Sequence, residues 1–286
     1  TALLCMPLNF IAGKMMLVRA LTLGWQLDIV EPSSTPLKNI EKNYDFSAMV
    51  PLQVSNSFHE IHKIKKLIIG GGLVSNDLIS KIQHLKTEMF ATYGMTETVT
   101  HIAIKNLNNF GFESKNKIRT QAENVRFSPT NLVPESHYKI LPNIKISIDK
   151  RDCLIIEASK ICYGKVITND IVELISETEF KWLGRYDSVI NSGGIKLIPE
   201  QIEQKLNEII LENFFVTGIP DAVLGNKLVL IIEGLENDRI IDEIKNLKSL
   251  SKFEIPKKIV YLKKFVFTET QKINRIETLK LLKNIY

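Results

Sequence analysis

Residues 67–94 read LIIGGGLVSNDLISKIQHLKTEMFATYG, and their order decides the fold class. LIIGGG (67–72) is an apolar run of the fully buried type that ends in three glycines. Ser75 then has the chemistry of a helix N-cap, and Leu78, Ile79 and Ile82 recur at helical spacing behind it. EMFATYG (88–94) is again a strand. Strand, helix, strand at this spacing implies a parallel βαβ unit with a right-handed crossover.

Outward from that unit the same alternation continues. LLCMPL (3–8) reads as a strand, Ile11 to Leu23 as a helix bearing Ile11, Met15, Val18 and Leu21–Leu23, and WQLDIV (25–30) as a strand. Pro32 and Pro36 punctuate the following loop. From about 105 to 182 the pattern changes to short β-rich runs: YKILP, IKISID, CLIIEAS, KVITND and VELIS. They predict a small antiparallel sheet or barrel appended to the α/β core. After Arg185 a third pattern predicts a strand and glycine turn (SVINSGG), a helix from Pro199 to Ile210, strands FFVTG and KLVLIIEG, a helix from Asp238 to Leu247, and strands IVYL and FVF. The expected organisation is an α/β domain over 1–185, comprising a core to 104 and a β-rich subdomain over 105–185. A small α+β domain over 186–286 follows.

Composition narrows the function classes. Hydrophobic residues make up 44% and charged residues 24% of 286, which excludes a disordered or fibrous chain. The net charge of +5 is too small to argue nucleic-acid binding. It is unevenly placed: residues 245–286 hold 11 basic and three acidic residues, a pattern met by a solvated lysine face or by attraction to a phosphorylated ligand. Cys5, Cys153 and Cys162 form neither a disulfide framework nor a zinc motif, and His59 and His62 lack HExxH spacing. Pro7, Lys14 and Arg19 break the apolar opening, so no membrane insertion is expected, and without a signal-peptide pattern the expected compartment is the cytoplasm. Oligomeric state is not legible in the sequence.

Several segments carry candidate chemistry. Gly70, Gly71 and Gly72 lie between a strand and a helix start, where backbone N–H groups favour anions; a plain tight turn fits equally. Neither GxGxxG nor a P-loop is satisfied there. Tyr93-Gly94-Met95-Thr96-Glu97-Thr98 could offer hydroxyls to a phosphate and Glu97 to Mg²⁺, or serve as a helix cap with an acidic first turn. Asp170 ends KVITND, where it could hold vicinal hydroxyls or simply turn the chain. Gly184-Arg185-Tyr186-Asp187 and Ser192-Gly193-Gly194 sit at the expected interdomain joint.

Taken in order, TYGMTET, the Asp170 strand end, GRYDSVINSGGIKLIPEQIE, VTGIPDAVLGNK and ETQKINR resemble the adenylate-forming enzymes, the acyl-CoA synthetase and luciferase superfamily. The resemblance runs from about Leu3 to Arg275. LCMPLNFIAGKMMLVRAL, the GGG loop and TYGMTETVTHIA are similar to the o-succinylbenzoate–CoA ligases of menaquinone biosynthesis. The resemblance implies an AMP-forming acid–CoA ligase that uses ATP, CoA and Mg²⁺. It implies Gly70–Gly72 beside adenine, Tyr93 with Gly94 against the base, Thr96 on the α-phosphate and Glu97 on Mg²⁺. Asp170 and Arg185 would bind ribose, Asp187 would be a hinge, and Gly193 and Gly194 would line a CoA tunnel. Lys272 would bridge carboxylate and α-phosphate, with Gln271 where the superfamily usually has glycine. Lys14, Thr98 and His101 are candidates for the acid pocket. The superfamily's N-terminal Ser/Thr/Gly-rich phosphate loop does not occur in this sequence, which suggests a chain lacking its N-terminal subdomain. Two further readings stay open: a CoA ligase for another aryl or acyl acid, and a non-catalytic nucleotide-binding remnant.

Overall fold

The computed structural model describes residues 1–108, 137–268 and 272–283. The chain divides into two compact units: Thr1–Ser147 with Ile155–Ile167 and Leu174–Lys181, and Ile148–Leu154 with Thr168–Glu173 and Trp182–Tyr286. The main break falls four residues before the expected 185/186 boundary, and two short strand segments join the second unit.

In the first unit, β1 (Ala2–Leu4), β2 (Leu27–Ile29), β3 (Tyr44–Met49), β4 (Ile64–Ile69) and β5 (Glu88–Gly94) pair in parallel in the order β2-β1-β3-β4-β5. β6 (His101–Asn106) then returns antiparallel to β5, and β7 (Tyr138–Ile140) is antiparallel to β6. β3 replaces what the sequence suggested was loop, and it lies between β1 and β4. The side-chain period of two explains how both sheet faces are filled. Leu3, Leu67, Ile69 and Met89 pack with Leu37, Val54 and Ile61 on one side, while Ala2, Leu4 and Ala48 meet Met16 of α1 (Ile11–Leu23) on the other.

Local chemistry sets the ends of these elements. α1 stops because Gly24 takes the left-handed conformation at φ 65° and returns its N–H to Ala20. α2 (Pro51–Asn56) has proline in its first turn, where no N–H is missed. α3 (Asn76–Ile82) starts at Ser75, whose Oγ accepts the Leu78 N–H at 3.2 Å.

The β-rich stretch contains β8 (Lys145–Ile148), β9 (Cys153–Glu157), β10 (Lys165–Ser176) and β11 (Glu179–Arg185), bonded in the order β11-β10-β9-β8. KVITND and VELIS, read as two strands, are one strand of 12 residues. Residues 109–136 of the expected β-rich stretch lie outside the described residues.

The second unit contains β12 (Ile190–Ser192), β13 (Ile195–Leu197), β14 (Phe214–Asp221), β15 (Gly225–Glu233) and β16 (Lys258–Leu262) in one sheet. Alternate residues of β14 and β15 again serve two cores. Val216, Leu228 and Leu230 pack with α4 (Pro199–Leu206) and α5 (Ile240–Asn246), whereas Phe215, Val229 and Ile231 pack with Leu282 of α6 (Arg275–Lys283). FVF, expected as a strand, contributes a single bridge, Phe267 to Ile273. Among the described residues no helix is long and apolar enough to cross a membrane.

Candidate active site

Carboxyl ends of parallel strands are where α/β sheets open a crevice, because the connections diverge there. The first unit follows this rule. Met6 after β1, Met49 and Val50 at the end of β3, Gly70 and Gly71 after β4, and Gly94 and Met95 at the end of β5 line one cavity of about 210 Å³. Ile11, Ala12, Met15 and Arg19 of α1 form another part of its wall, and Val99, Thr100 and His101 complete it.

Most of that wall is apolar. Its charged member is Arg19, half-buried, with Nη2 2.9 Å from Thr100 Oγ1 and 3.1 Å from His101 Nδ1. Burial, assisted by the Arg19 charge, pushes His101 down to about 4, so its ring is neutral near pH 7 and Nδ1 accepts from the guanidinium. In the sequence Arg19 stands out only as a break in an apolar run; the fold brings it to the cavity wall. Lys14 is exposed and does not line this cavity.

The segment after β5 is tightly determined. Thr96–Thr98 form one 3-10 turn with Glu97 in it, so the segment does serve as a short helical turn with an acidic residue, though not as the start of an α-helix. Thr98 is fully buried; its hydroxyl accepts the Met95 N–H at 3.2 Å and reaches the Thr100 carbonyl at 2.9 Å. It locks the turn and does not line the cavity. Val99 takes φ 62°, an unusual conformation for a β-branched residue. Gly94 is required sterically: a Cβ would stand 2.5 Å from His101 Cα and 2.6 Å from the Thr100 carbonyl oxygen.

Thr96 and Glu97 are both exposed on this turn. Among the described residues no three His, Cys, Asp or Glu side chains cluster as a metal site. A single open carboxylate nevertheless fits Mg²⁺, which commonly takes one or two carboxylates and fills its remaining positions with substrate phosphates and water. Tyr93 is half-buried, with its ring edge-on to Phe180 at 5.2 Å and tilted against Tyr138 at 5.8 Å. Of the glycines after β4, Gly71 needs its positive φ of 79°, and a Cβ on Gly70 would meet Thr92 Oγ1 at 2.8 Å.

In the second unit, Asp170 on β10 is buried. Its Oδ1 accepts from Trp182 Nε1 at 3.1 Å and stands 3.7 Å from Arg185 Nη1. Arg185 also grips Asp187 through two bonds, Nε to Oδ1 at 3.1 Å and Nη2 to Oδ2 at 3.0 Å, which hold the Asp187 carboxyl below its usual range. Gly193 and Gly194 form the two-residue turn of the β12–β13 hairpin, with φ of 58° and 81°. Such turns need positive φ at both positions, so the hairpin accounts for both glycines. Lys272 is exposed; its backbone N–H donates to Thr268 Oγ1 and its carbonyl accepts from the Thr268 N–H. Gln271 lies outside the described residues.

No protein-family model matches the chain. It is 25% identical over 287 residues to a 2-succinylbenzoate–CoA ligase of Staphylococcus epidermidis, covering 94% of this chain and 59% of that protein. A 2-succinylbenzoate–CoA ligase from Geobacillus is 26% identical over 234 residues, covering 76% of this chain and 46% of that protein. The chain thus spans about half the length of the curated relatives it matches, 59% and 46% of these two. Among solved structures, o-succinylbenzoate CoA synthetase from Bacillus subtilis, in complex with its acyl-adenylate intermediate, shares the fold with a TM-score of 0.74 at 18% identity over 96% of this chain and 60% of that one. An acyl-CoA synthetase (AMP-forming)/AMP-acid ligase II-like protein from Dyadobacter fermentans is 36% identical, with a TM-score of 0.55, over 98% of this chain and 78% of that one. With its parallel sheet and strand-end cavity, and with this degree of identity over this coverage, the chain belongs to the AMP-forming acyl-CoA synthetases of the adenylate-forming superfamily.

Proposed function

We propose that the protein activates an aromatic carboxylic acid with ATP and transfers the acyl group to CoA, and that the acid carries a second carboxylate, as o-succinylbenzoate of menaquinone biosynthesis does. The observation that carries this reading is the cavity at the strand ends, with one cation in an otherwise apolar wall. An apolar cavity of about 150 Å³ holds a benzene ring. One of 210 Å³ therefore suits a single ring with a short substituent. Arg19 has five guanidinium donors, and its contacts with Thr100 and His101 engage only Nη2. The remaining donors suit a carboxylate, which a guanidinium recognises in bidentate fashion.

The chemistry follows from charge. In the first step the carboxylate oxygen attacks the α-phosphorus of ATP and pyrophosphate leaves. Two anions must be brought together, so positioning and nearby cations supply most of the acceleration. Thr96 would donate its hydroxyl to the α-phosphate, and Lys272 would place its ammonium between carboxylate and phosphate. Glu97 would hold Mg²⁺, which when bound neutralises phosphate charge. Gly70 and Gly71 would allow the nucleotide close to the backbone, and Tyr93 would pack against the base. Asp170 would accept hydrogen bonds from the ribose hydroxyls, with Arg185 beside it. In the second step the CoA thiolate attacks the acyl carbon and AMP leaves, forming a thioester. Asp187 would be the hinge between the two steps, and the Gly193–Gly194 turn would face the pantetheine arm.

The test is CoA-dependent AMP release by the full-length gene product across a panel of acids. Preference for o-succinylbenzoate over benzoate and fatty acids is expected. A preference for a monocarboxylate would move the assignment to another acid, and absence of AMP with every acid would favour a non-catalytic nucleotide-binding protein.

A further inference from the structure

Asp170 is a buried carboxylate on β10, its side chain only 9% exposed, and a polar group so buried needs hydrogen-bond donors. An indole on the neighbouring strand donates to its carboxylate: Trp182 Nε1 lies 3.1 Å from Oδ1. Arg185 Nη1 stands farther away at 3.7 Å, and the guanidinium commits Nε and Nη2 to Asp187. The strand end is also held by its backbone, because the Asp170 N–H donates to Thr168 Oγ1 at 3.0 Å. An indole N–H is a single donor on a rigid plane and cannot accept or change protonation. It therefore suits the task of holding one carboxylate oxygen in one direction.

We infer that Trp182 is a positioning residue for ribose recognition: its N–H holds Oδ1 of Asp170 and thereby sets the direction in which the carboxylate meets the ribose diol. The inference rests on the reading of Asp170 as the ribose-binding carboxylate. Trp182 would act through Asp170 and not on the substrate itself. A charge-assisted bond of this kind orients its acceptor more strongly than a neutral one. Its loss removes one restraint on the direction of the carboxylate, and a bidentate contact to two hydroxyls suffers most from such a change. Adenine and phosphate contacts made elsewhere are untouched.

The experiment compares the affinities of AMP and 2′,3′-dideoxy-AMP for the intact protein, by calorimetry, in the parent, Trp182→Phe and Asp170→Asn proteins. Hydrogen bonds to a charged group correspond to roughly tenfold or more in affinity, so the parent is expected to prefer AMP by about that factor. Trp182→Phe keeps the ring and removes the N–H; it should lower the preference at least threefold while leaving dideoxy-AMP affinity unchanged. A merely structural tryptophan would weaken both ligands together, and that result, or an unchanged preference, would overturn the inference. If Asp170→Asn retains the full preference, Asp170 is not the ribose carboxylate, and the underlying reading falls along with the inference. A second readout needs no change at position 182. In ¹H–¹⁵N spectra of the parent protein an indole N–H resonance should shift on adding AMP but not dideoxy-AMP, and on Asp170→Asn. Equal shifts with both nucleotides, or none on Asp170→Asn, would count against the assignment even if Trp182→Phe failed to fold.

Discussion

Arg19 Nη2 lies 3.1 Å from His101 Nδ1, joining the last half of α1 to the first residue of β6 across the cavity wall. A protonated imidazole cannot accept that bond and would repel the guanidinium. This gives stability a direction with pH. The His101 pKa is about 4 in the fold, below its ordinary 6.5, so the unfolded chain takes up the proton first as pH falls. The stabilisation is complete above pH 6.5 and is lost progressively towards pH 4. Thermal melts of the parent and His101→Gln should therefore differ in pH slope: the parent should lose more melting temperature than the variant between pH 7 and pH 4, and equal slopes would show that His101 is not the titrating group.

Arg19 should also divide acids by charge. In the full-length enzyme, Arg19→Gln is expected to raise KM for o-succinylbenzoate roughly tenfold or more, the scale of a hydrogen bond to a charged group. KM for benzoate should change far less. Equal effects on both acids would place Arg19 in the scaffold rather than in acid recognition.

Two glycines near the cavity make opposite predictions. At Gly94 a Cβ would press on the backbone of Thr100 and His101, which cannot give without parting β5 from β6. Gly94→Ala should cost about 1–3 kcal/mol, read as a lowered denaturation midpoint. At Gly72 the nearest atom to a Cβ is 3.8 Å away and φ is not positive, so Gly72→Ala should leave the midpoint within error.

Glu203 on α4 bonds Arg275 at 2.7 Å and accepts the Val216 N–H at 2.9 Å, yet burial outweighs both and raises its pKa to about 7. A raised carboxyl favours the fold most below its unfolded value near 4.5, and this contribution disappears as pH rises through 7. Glu203→Gln should flatten the decline in melting temperature between pH 5 and pH 8. Arg275→Ala, which leaves the buried carboxyl without its cation, should destabilise by about 3–5 kcal/mol at pH 8 and less at pH 5.

Lys272 is exposed, and its backbone N–H and carbonyl make the hydrogen bonds to Thr268, so truncation of its side chain should not disturb the fold. Lys272→Ala is expected to slow acyl-adenylate formation by about 100-fold, the scale of removing one preorganised electrostatic donor. Thioester formation from pre-made acyl-adenylate should stay near the parent rate. Single-turnover assays of each step, run beside a thermal melt, check it; parallel loss of both steps would remove Lys272 from the chemistry.

What the sequence determined by itself was local. The bounds of α1 and β5, the Ser75 cap and the glycine hairpin at 193–194 follow from apolar period, cap chemistry and positive-φ turns, each decided within a few residues. Tertiary structure alone decided three other matters. YDFSAM at 44–49 has no clean alternation, and it became β3 because β1 and β4 supply hydrogen bonds on both sides. Lys14 and Arg19 are five positions apart on α1, about 140° around a helix, so only the packing of α1 on the sheet could select Arg19 for the cavity and leave Lys14 exposed. The Asp170–Trp182 bond joins residues twelve apart on neighbouring strands, and its existence depends on how β10 and β11 pair across the two-residue connection between them, which neither strand encodes alone.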